Sequence, residues 1–262
     1  MRTGQVFHFR ECLATMVGAL LPPSYYRKPK MARRKTKAPA QDEPQSPAAR
    51  FSDSPRKKYQ LNRSQLGAWT LLESKPIVLF IGPAGTGKSF AAMAWGAQAI
   101  RAKRIEKIVF IRSPLEMGRS RMGYLPGTAD EKMAPYADSV MAIATKLGLP
   151  KELVEIRPLP YIQGATFENA LVFVDECQNL NSEEFLAVVT RLGIGSTMVF
   201  AGDPEQDTRR SFGLIPFIEA VEHLNCVGVQ EFDEDCNMRH PAIIPVIKAY
   251  RAYNERIDNH NR

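Results

Sequence analysis

A glycine-rich octapeptide, GPAGTGKS at residues 82–89, is the segment of this sequence that most directly predicts chemistry. It lies between an apolar run and a segment with helical patterning, which is where a phosphate-binding loop connects a strand to a helix. Glycines let the backbone approach phosphates, and the loop amides with the helix N-terminus attract the anion. We expect Lys88 to contact the β- and γ-phosphates of ATP and the Ser89 hydroxyl to bind Mg²⁺. The expected nucleotide-binding residues of this loop are Gly82, Pro83, Ala84, Gly85, Thr86, Gly87, Lys88 and Ser89.

Two acidic residues, Asp175 and Glu176, stand at the end of the apolar stretch ALVFVDE. The carboxyl ends of strands are where ligands bind in open α/β sheets. A carboxylate at this place holds Mg²⁺ through water, so Asp175 is an expected Mg²⁺ ligand beside Ser89. Glu176 is then placed to orient or deprotonate the attacking water. The glutamate favours ATP hydrolysis over a small-molecule kinase, since a P-loop kinase needs no water-activating residue there.

A third polar segment, AGDPEQ at 201–206, again follows an apolar strand. Gln206 has an amide able to contact the γ-phosphate or the attacking water. A turn built on Gly202, Asp203 and Pro204 explains the rest of the segment without any chemistry. An arginine, from the same chain or from a neighbouring subunit, is also expected to stabilise the transferring phosphoryl group.

The elements that must position these residues alternate between strands and helices. Apolar runs predict strands at 76–81, 107–112, 153–159, 170–175, 197–202 and 226–232, and helical spacing predicts helices at 61–73, 91–100, 130–147, 182–192, 214–224 and 241–254. Near-continuous apolar strands separated by helices indicate an α/β fold with a parallel sheet covered on both faces. We expect one domain over 59–254, followed by a C-terminal tail at 255–262.

The N-terminal part of the chain differs from the rest in charge and composition. Residues 1–64 hold 14 Lys and Arg against 4 Asp and Glu, a balance of +10, while the remainder sums to −3. Residues 31–58 are rich in Pro, Ala, Lys, Arg and Ser without apolar periodicity, so we expect residues 1–58 to be a disordered basic segment. Met31 is followed by a polar segment that is typical of the start of a protein. Residues 1–30 are therefore interpreted as an upstream extension or simple disorder rather than a secretion signal. A basic tail attracts nucleic acid or keeps a disordered segment soluble.

The cysteines and the hydropathy of the sequence indicate in which cellular compartment the protein is expected. The four cysteines, at 12, 177, 226 and 236, form no Cys-x-x-Cys pair, which predicts neither a disulfide framework nor a zinc site. Cys177 is interpreted as a small buried residue. No apolar run reaches the roughly 18 residues of a membrane span. These observations favour a cytoplasmic protein with no membrane partner.

Taken in order, the motifs resemble the PhoH-like family of ATPases, which is related to the helicases of superfamily 1. The resemblance runs through FIGPAGTGKS, IRSPLEMGRSRMGYLPGTADEKMAPY, RPLPYIQGATFENALVFVDECQN, TRLGIGSTMVFAGDPEQ and RHPAIIPVIKAY, within residues 80–250. The second of these segments is the discriminating one, because a phosphate loop and an Asp-Glu pair alone describe many ATPases.

The resemblance implies a RecA-like parallel sheet, Mg²⁺-dependent ATP hydrolysis and ring assembly. It places Gln65 where related proteins use a glutamine to read the adenine edge. It places Arg112 with Ser113 where the helicase relatives touch a nucleic-acid strand. It also makes Arg239 a candidate sensor of the chain's own nucleotide and Arg191 a candidate donor to the next subunit.

Two functions remain open at this point. One is an ATPase coupled to RNA or single-stranded DNA, and the other is a regulatory or assembly ATPase that moves no strand. A processive helicase usually has two RecA-like lobes in one chain, whereas one lobe fits here, so translocation would require an oligomer. We therefore expect a homo-oligomeric ring, a hexamer, built from head-to-tail interfaces.

Overall fold

Six parallel strands form one sheet in this computed structural model, which describes residues 46–52, 59–112, 129–207, 213–237, 240 and 242–260. The strands are β1 (Ile77–Ile81), β2 (Lys107–Arg112), β3 (Val154–Pro158), β4 (Ala170–Asp175), β5 (Thr197–Gly202) and β6 (Val227–Glu231). The helices of the described residues are α1 (Pro47–Ser52), α2 (Arg63–Ser74), α3 (Lys88–Arg101), α4 (Ala129–Leu147), α5 (Ser182–Val189), α6 (Leu214–Val221) and α7 (Ile243–His260). Each predicted strand and helix is present, three strands (β2, β4 and β5) with the predicted bounds and the other elements with shifted ends, and the predicted α/β class is confirmed.

The strand order, β3-β2-β4-β5-β1-β6, brings the chemistry-bearing loops to one edge of the sheet. Arg112 at the end of β2 lies opposite Asp175 at the end of β4, and Ile81 at the end of β1 lies opposite Gly202 at the end of β5. Because the strands run in the same direction, the loops that follow them emerge at the same carboxyl edge. The sheet therefore gathers segments that are far apart in the sequence.

Helices cover both faces of the sheet, as predicted. Phe110 and Phe173 pack on the face that carries α2, α3 and α4. The neighbouring strand residues Val172 and Phe200 pack on the opposite face with α5 and α6. Side chains of an extended strand point alternately to the two faces of the sheet. Because helices cover both faces, the strands are buried on both sides.

Helix α2 is positioned by its cap and by a hydrogen bond to α3. The Asn62 side chain accepts a hydrogen bond from the backbone of Gln65 at 2.9 Å, and the Gln65 side chain accepts one from the backbone of Asn62 at 3.0 Å. This reciprocal capping box satisfies two helix-end donors. Trp69 Nε1 donates to the carbonyl of Ala91 on α3 at 3.0 Å. Helix α3 begins at Lys88, within the glycine-rich octapeptide, so α2 supports the element that presents that loop.

Helix α1 corrects the prediction that the chain is disordered through residue 58. It packs against α3, with Phe51 only 3% exposed and the guanidinium of Arg101 4.0 Å from the centre of its ring. A helix of six residues is too short to show apolar periodicity, which explains why the sequence pattern did not reveal it. The other residues of the 1–58 segment, apart from Ser46, lie outside the described part of the chain.

Helix α7 carries exposed apolar side chains on successive turns. Val246, Tyr250 and Tyr253 are each more than half exposed. Exposed apolar groups at this spacing form one stripe along a helix. No helix among the described residues is both long enough and apolar enough to cross a membrane.

Replacement of Phe51 by alanine is expected to release α1 from α3. Burial of a phenylalanine side chain contributes about 1.5–3 kcal/mol, so the free energy of unfolding should fall by that amount. The measurement is the midpoint of urea unfolding, followed by circular dichroism. Leu66→Ala is the matched control, because Leu66 is 56% exposed and its loss should change stability by less than about 0.5 kcal/mol. An unchanged midpoint for Phe51→Ala would show that α1 contributes no stability.

Candidate nucleotide-binding site

A cleft of about 230 Å³ opens at the carboxyl edge of the sheet. It is lined by side chains from the loops that follow β1, β4 and β5: Lys88, Ser89, Asp175, Glu176, Asp203 and Gln206. The structure thus brings together the candidate residues that the sequence predicted from three separate segments. The phosphate loop is the name used below for residues 82–89.

The phosphate loop has the backbone conformation that its glycines predict. Gly85 and Gly87 have φ angles of 87° and 88°, in the left-handed region that favours glycine. Gly82 has a φ of 145°, and a Cβ atom there would collide with the carbonyl oxygen of Phe232. A larger residue at position 82 would therefore push the loop away from Phe232, and one at position 85 or 87 would strain the backbone.

Polar contacts within the phosphate loop hold Lys88 over it. Thr86 is buried, and its hydroxyl donates to the carbonyl of Pro83 at 2.9 Å. Lys88 Nζ donates to the carbonyls of Gly82 and Pro83, at 2.8 Å for Pro83. Burial lowers the pKa of Lys88, while the carboxylates around it, Asp203 first, act in the opposite direction. A cation at the start of a helix suits an anionic phosphate.

Ser89 and Asp175 meet in the cleft and provide a donor set that fits Mg²⁺. The Ser89 hydroxyl donates to Asp175 Oδ1 at 3.3 Å. Burial raises the pKa of Asp175 to about 6, the charge of Glu176 adds to this, and Arg112 opposes it. A cation beside such a buried carboxylate stabilises its charged form. Mg²⁺ prefers hard oxygen ligands and is commonly bound by one or two side chains together with substrate phosphates.

Glu176 has a strained backbone at the point where β4 ends. Its φ and ψ angles are 54° and 42°, the left-handed region, where residues other than glycine are uncommon. Strain of this kind costs on the order of 1–3 kcal/mol and is frequent at functional sites. The strained residue turns the chain from β4 into the short helical turn Cys177–Asn179.

Gln178 links the loops after β4 and β5, and sequence reasoning did not single it out. Its Nε2 donates to Glu176 Oε2 at 2.6 Å, and its Oε1 accepts from the backbone of Asp203 at 3.2 Å. Asp203 Oδ2 in turn accepts from Gln206 Nε2 at 2.8 Å. The only signal in the sequence is the proximity of Gln178 to Glu176. This chain of hydrogen bonds joins the expected water-activating carboxylate to the expected γ-phosphate contact.

Cys177 is fully buried, in agreement with its interpretation as a small packing residue. A Cβ atom on Gly202 would lie 2.6 Å from its Sγ atom, so the ends of β4 and β5 pack closely here. Burial raises the pKa of the thiol well above its usual value, which keeps it protonated and unreactive.

Arg112 is paired with the acidic residues of the cleft. Its Nη1 lies 3.7 Å from Asp175 Oδ2, and its Nη2 lies 3.7 Å from Glu176 Oε1. The nucleic-acid contact of Arg112 stays a prediction, and it would have to compete with this internal ion pair. Ser113, the companion of Arg112 in that prediction, lies outside the described residues.

Gln65, in the first turn of α2, is fully buried and faces the phosphate loop. Its Nε2 donates to the carbonyl of Gly87 at 3.2 Å, and its Oε1 accepts from the backbone of Asn62. The carboxamide thus ties the helix cap to the loop. Contact with an adenine edge stays a prediction, and it would have to replace these hydrogen bonds.

Arg191 lies beyond the end of α5, which corrects the predicted helix at 182–192. The helix ends at Val189, and Arg191 Nη1 donates to the carbonyl of Ala165 at 3.3 Å. The carbonyl of Arg191 accepts from the backbone of Phe167, in the segment before β4. Arg191 is therefore at the amino edge of the sheet, opposite the cleft of its own chain.

Arg239, the candidate sensor, lies outside the described residues. Asn237 Nδ2 donates to the carbonyl of Ala84 at 3.3 Å, which brings the chain just before Arg239 to the phosphate loop. The sensor role of Arg239 stays a prediction.

Two relatives and one solved structure illustrate what this chain is similar to. The chain is 34% identical over 203 residues to a PhoH-like protein of Mycobacterium leprae (strain TN), covering 73% of this chain and 58% of the relative. It is 36% identical over 189 residues to Protein PhoH of Escherichia coli (strain K12), covering 67% of this chain and 53% of the relative. The chain thus spans less than two thirds of the length of either relative. Among solved structures, the large terminase of a thermophilic bacteriophage in complex with ADP covers 70% of this chain and 48% of its own, with 12% identity and a TM-score of 0.45.

A family model described as PhoH-like protein matches residues 59–251. That range includes the phosphate loop, Asp175, Glu176 and Gln206, which line the cleft. The match extends over most of the 262 residues. The chain belongs to the PhoH-like protein family.

Proposed function

We propose that this chain binds ATP with Mg²⁺ in the cleft and hydrolyses it. The observation that carries this proposal is the convergence of Lys88, Ser89, Asp175 and Glu176 in one cleft at the carboxyl edge of a parallel sheet. A phosphate-binding loop and a pair of carboxylates are the parts that nucleotide hydrolysis requires. Membership of the PhoH-like family supports the same activity.

Binding would exchange internal contacts for contacts to the nucleotide. The amides of the phosphate loop and the N-terminus of α3 would surround the phosphates. Lys88 would leave the carbonyls of Gly82 and Pro83 for the β- and γ-phosphates. Ser89 and Asp175 would hold Mg²⁺, which neutralises charge on the phosphates when bound.

Hydrolysis would use Glu176 as the base. A water oxygen attacks the γ-phosphorus, its proton passes to the Glu176 carboxylate, and the bond from the γ-phosphorus to the bridging oxygen breaks. The products are ADP and inorganic phosphate. Gln178 orients Glu176, and through Asp203 it connects this carboxylate to Gln206, which would contact the γ-phosphate or the water.

We propose in addition that ATP hydrolysis is coupled to the binding of RNA or single-stranded DNA. This coupling is supported by an arginine, Arg112, beside the acidic pair, and by the basic segment 1–64 with its balance of +10. The alternative is a regulatory or assembly ATPase that moves no strand. Turnover measured with and without RNA and single-stranded DNA distinguishes the two, since only the first is stimulated.

A homo-oligomeric ring, a hexamer, is proposed as the working assembly. The amino-edge position of Arg191 supports it, because β4 separates Arg191 from its own cleft by about 20 Å, at roughly 3.3 Å per strand residue. A head-to-tail neighbour could place this arginine at the next cleft. The exposed stripe of Val246, Tyr250 and Tyr253 on α7 is also typical of surfaces that contact a partner.

Lys88→Ala is expected to weaken ATP binding by about 10- to 100-fold or more. Hydrogen bonds to charged groups contribute about 1.5–3 kcal/mol, and this substitution removes the ammonium that faces the phosphates. Isothermal titration calorimetry with a non-hydrolysable ATP analogue measures the affinity. Lys151→Ala, which removes an exposed lysine, is the control and should bind normally. Normal affinity in Lys88→Ala would contradict the assignment of the phosphate loop.

Glu176→Gln is expected to keep ATP bound while slowing hydrolysis by about 10²–10⁴, the usual contribution of a positioned general base. The amide retains the size of the side chain but cannot accept the proton. Release of inorganic phosphate measures the rate, and Glu183→Gln, at a position on α5 outside the cleft, serves as the control. Unchanged turnover would mean that water is activated by a different group.

Mixing two inactive variants tests the ring. Arg191→Ala chains keep Glu176, and Glu176→Gln chains keep Arg191, so a mixed ring contains clefts that receive both residues. ATPase activity should therefore rise above that of either variant alone, and light scattering should give the mass of a hexamer. A fully active monomer at micromolar concentration would contradict the ring, and purely additive activity would exclude Arg191 as the donor.

A further inference from the structure

The guanidinium of Arg112 lies against the two carboxylates on which the proposed hydrolysis depends. Its two terminal nitrogens are each 3.7 Å from a carboxylate oxygen, one of Asp175 and one of Glu176. The register of β2 and β4 places the backbones of Arg112 and Asp175 side by side. A positive charge is thus held where Asp175 would bind Mg²⁺ and where Glu176 would meet the attacking water.

This ion pair is loose enough to be exchanged. A distance of 3.7 Å exceeds the roughly 2.7–3.2 Å of an N–H···O hydrogen bond, whereas Lys107 and Glu155 on the adjacent strands approach to 2.6 Å. The side chains of Arg112 and Glu176 are 22% and 38% exposed, so a solute can reach both. Ion pairs between partly exposed side chains are weak, and Glu176 is the more exposed of the two carboxylates, since Asp175 has 15% of its side chain exposed.

Glu176 is restrained at both carboxylate oxygens. Gln178 Nε2 donates to Oε2 at 2.6 Å, while Arg112 faces Oε1. The backbone of Glu176 is also strained, with a φ of 54°. Departure of Arg112 would release one oxygen of the carboxylate and leave Gln178 to orient the other.

We propose that Arg112 is a positioning residue that holds Asp175 and Glu176 until the phosphodiester backbone of a single-stranded nucleic acid draws its guanidinium away. This inference rests on the proposed ATPase activity. The planar guanidinium matches phosphate geometry with two hydrogen bonds, which makes arginine suited to exchange a carboxylate for a phosphate. The end of β2 is at the carboxyl edge, where ligands bind in this fold class.

A further feature favours a nucleic-acid strand as the ligand. Pro158, the last residue of β3, lies opposite Arg112, and Tyr161 follows it in a short turn with 63% of its surface exposed. An arginine for the phosphate and an exposed aromatic ring for base stacking are the two parts of sequence-tolerant single-strand recognition.

The exchange has a thermodynamic consequence that works in both directions. Strand binding releases Asp175 and Glu176, so the chain becomes competent for Mg²⁺·ATP and for proton transfer. Binding of Mg²⁺·ATP at Asp175 in turn releases Arg112 to the strand. Linkage requires the two effects on affinity to be equal, and couplings of this kind are typically about 5- to 150-fold.

Arg112→Ala tests the proposal through turnover. Without any polymer, and at ATP concentrations below KM where the rate follows nucleotide affinity, its ATPase rate should rise by about fivefold or more over the unsubstituted protein, and its stimulation by single-stranded RNA or DNA should fall to near one. Arg157→Ala is the matched control, because it removes an arginine on the neighbouring strand that pairs with Glu155, and its polymer-free rate should not change. Separate assays with single-stranded RNA and single-stranded DNA show which of the two polymers stimulates the ATPase rate.

A binding measurement tests the same exchange without turnover. Fluorescence anisotropy gives the affinity for a labelled single strand with and without Mg²⁺ and a non-hydrolysable ATP analogue. In the unsubstituted protein the nucleotide should raise strand affinity by about fivefold or more, and in Arg112→Ala this increase should disappear. Thermal melts confirm that both arginine variants are folded.

Three results would overturn the inference. A rate for Arg112→Ala that falls both with and without polymer would place the arginine on the transferring phosphate instead. Stimulation retained by Arg112→Ala, or absent from the unsubstituted protein with both strands, would show that Arg112 does not couple strand binding to hydrolysis. Failure of the ATPase proposal is distinguishable, because the unsubstituted protein would then release no phosphate under any condition.

Discussion

Parallel pairing of the strands is the constraint on which the rest of this structure depends. It brings the end of β1 beside the end of β5 and the end of β2 beside the end of β4. Residues far apart in the chain thereby share one edge of the sheet. The loops that follow need only short turns to place Lys88, Asp175 and Gln206 in one cleft. An antiparallel pairing of any of these strands would send its loop to the opposite edge.

The cleft that results is crowded with charge, and its charges are satisfied internally. Lys88 turns back onto backbone carbonyls, Asp175 accepts from Ser89, and Arg112 faces both members of the acidic pair. A nucleotide with Mg²⁺ would therefore enter by replacing partners rather than by filling a neutral cavity. In low-dielectric surroundings a charged side chain cannot lose its partner without a large cost in free energy. A new partner must therefore carry negative charge where the old one offered an oxygen atom with negative or partial negative charge. This requirement makes a phosphate a suitable partner for Lys88 and for Arg112.

Hydrogen bonds within and between the loops after β4 and β5 hold the side chains of the cleft in place. Gln178 connects Glu176 to Asp203, and Asp203 holds Gln206. The positive φ of Glu176 is a strained conformation, and the surrounding contacts keep it in place. The contact of Glu176 with Arg112 is longer than its hydrogen bond with Gln178. The arrangement therefore combines one firmly held side of the carboxylate with one exchangeable side.

By itself, the amino-acid sequence determined the phosphate loop, the acidic pair and the alternation of strands with helices. Each of these depends on local chemistry, such as glycine conformations, apolar periodicity and the position of a carboxylate at the end of a strand. Only the tertiary structure decided that Arg112 faces Asp175, that Gln178 bridges two loops, and that Arg191 lies at the amino edge. It also decided that α1 packs on α3. These contacts depend on which strands and helices become neighbours, and long-range pairing leaves no fixed spacing in the sequence.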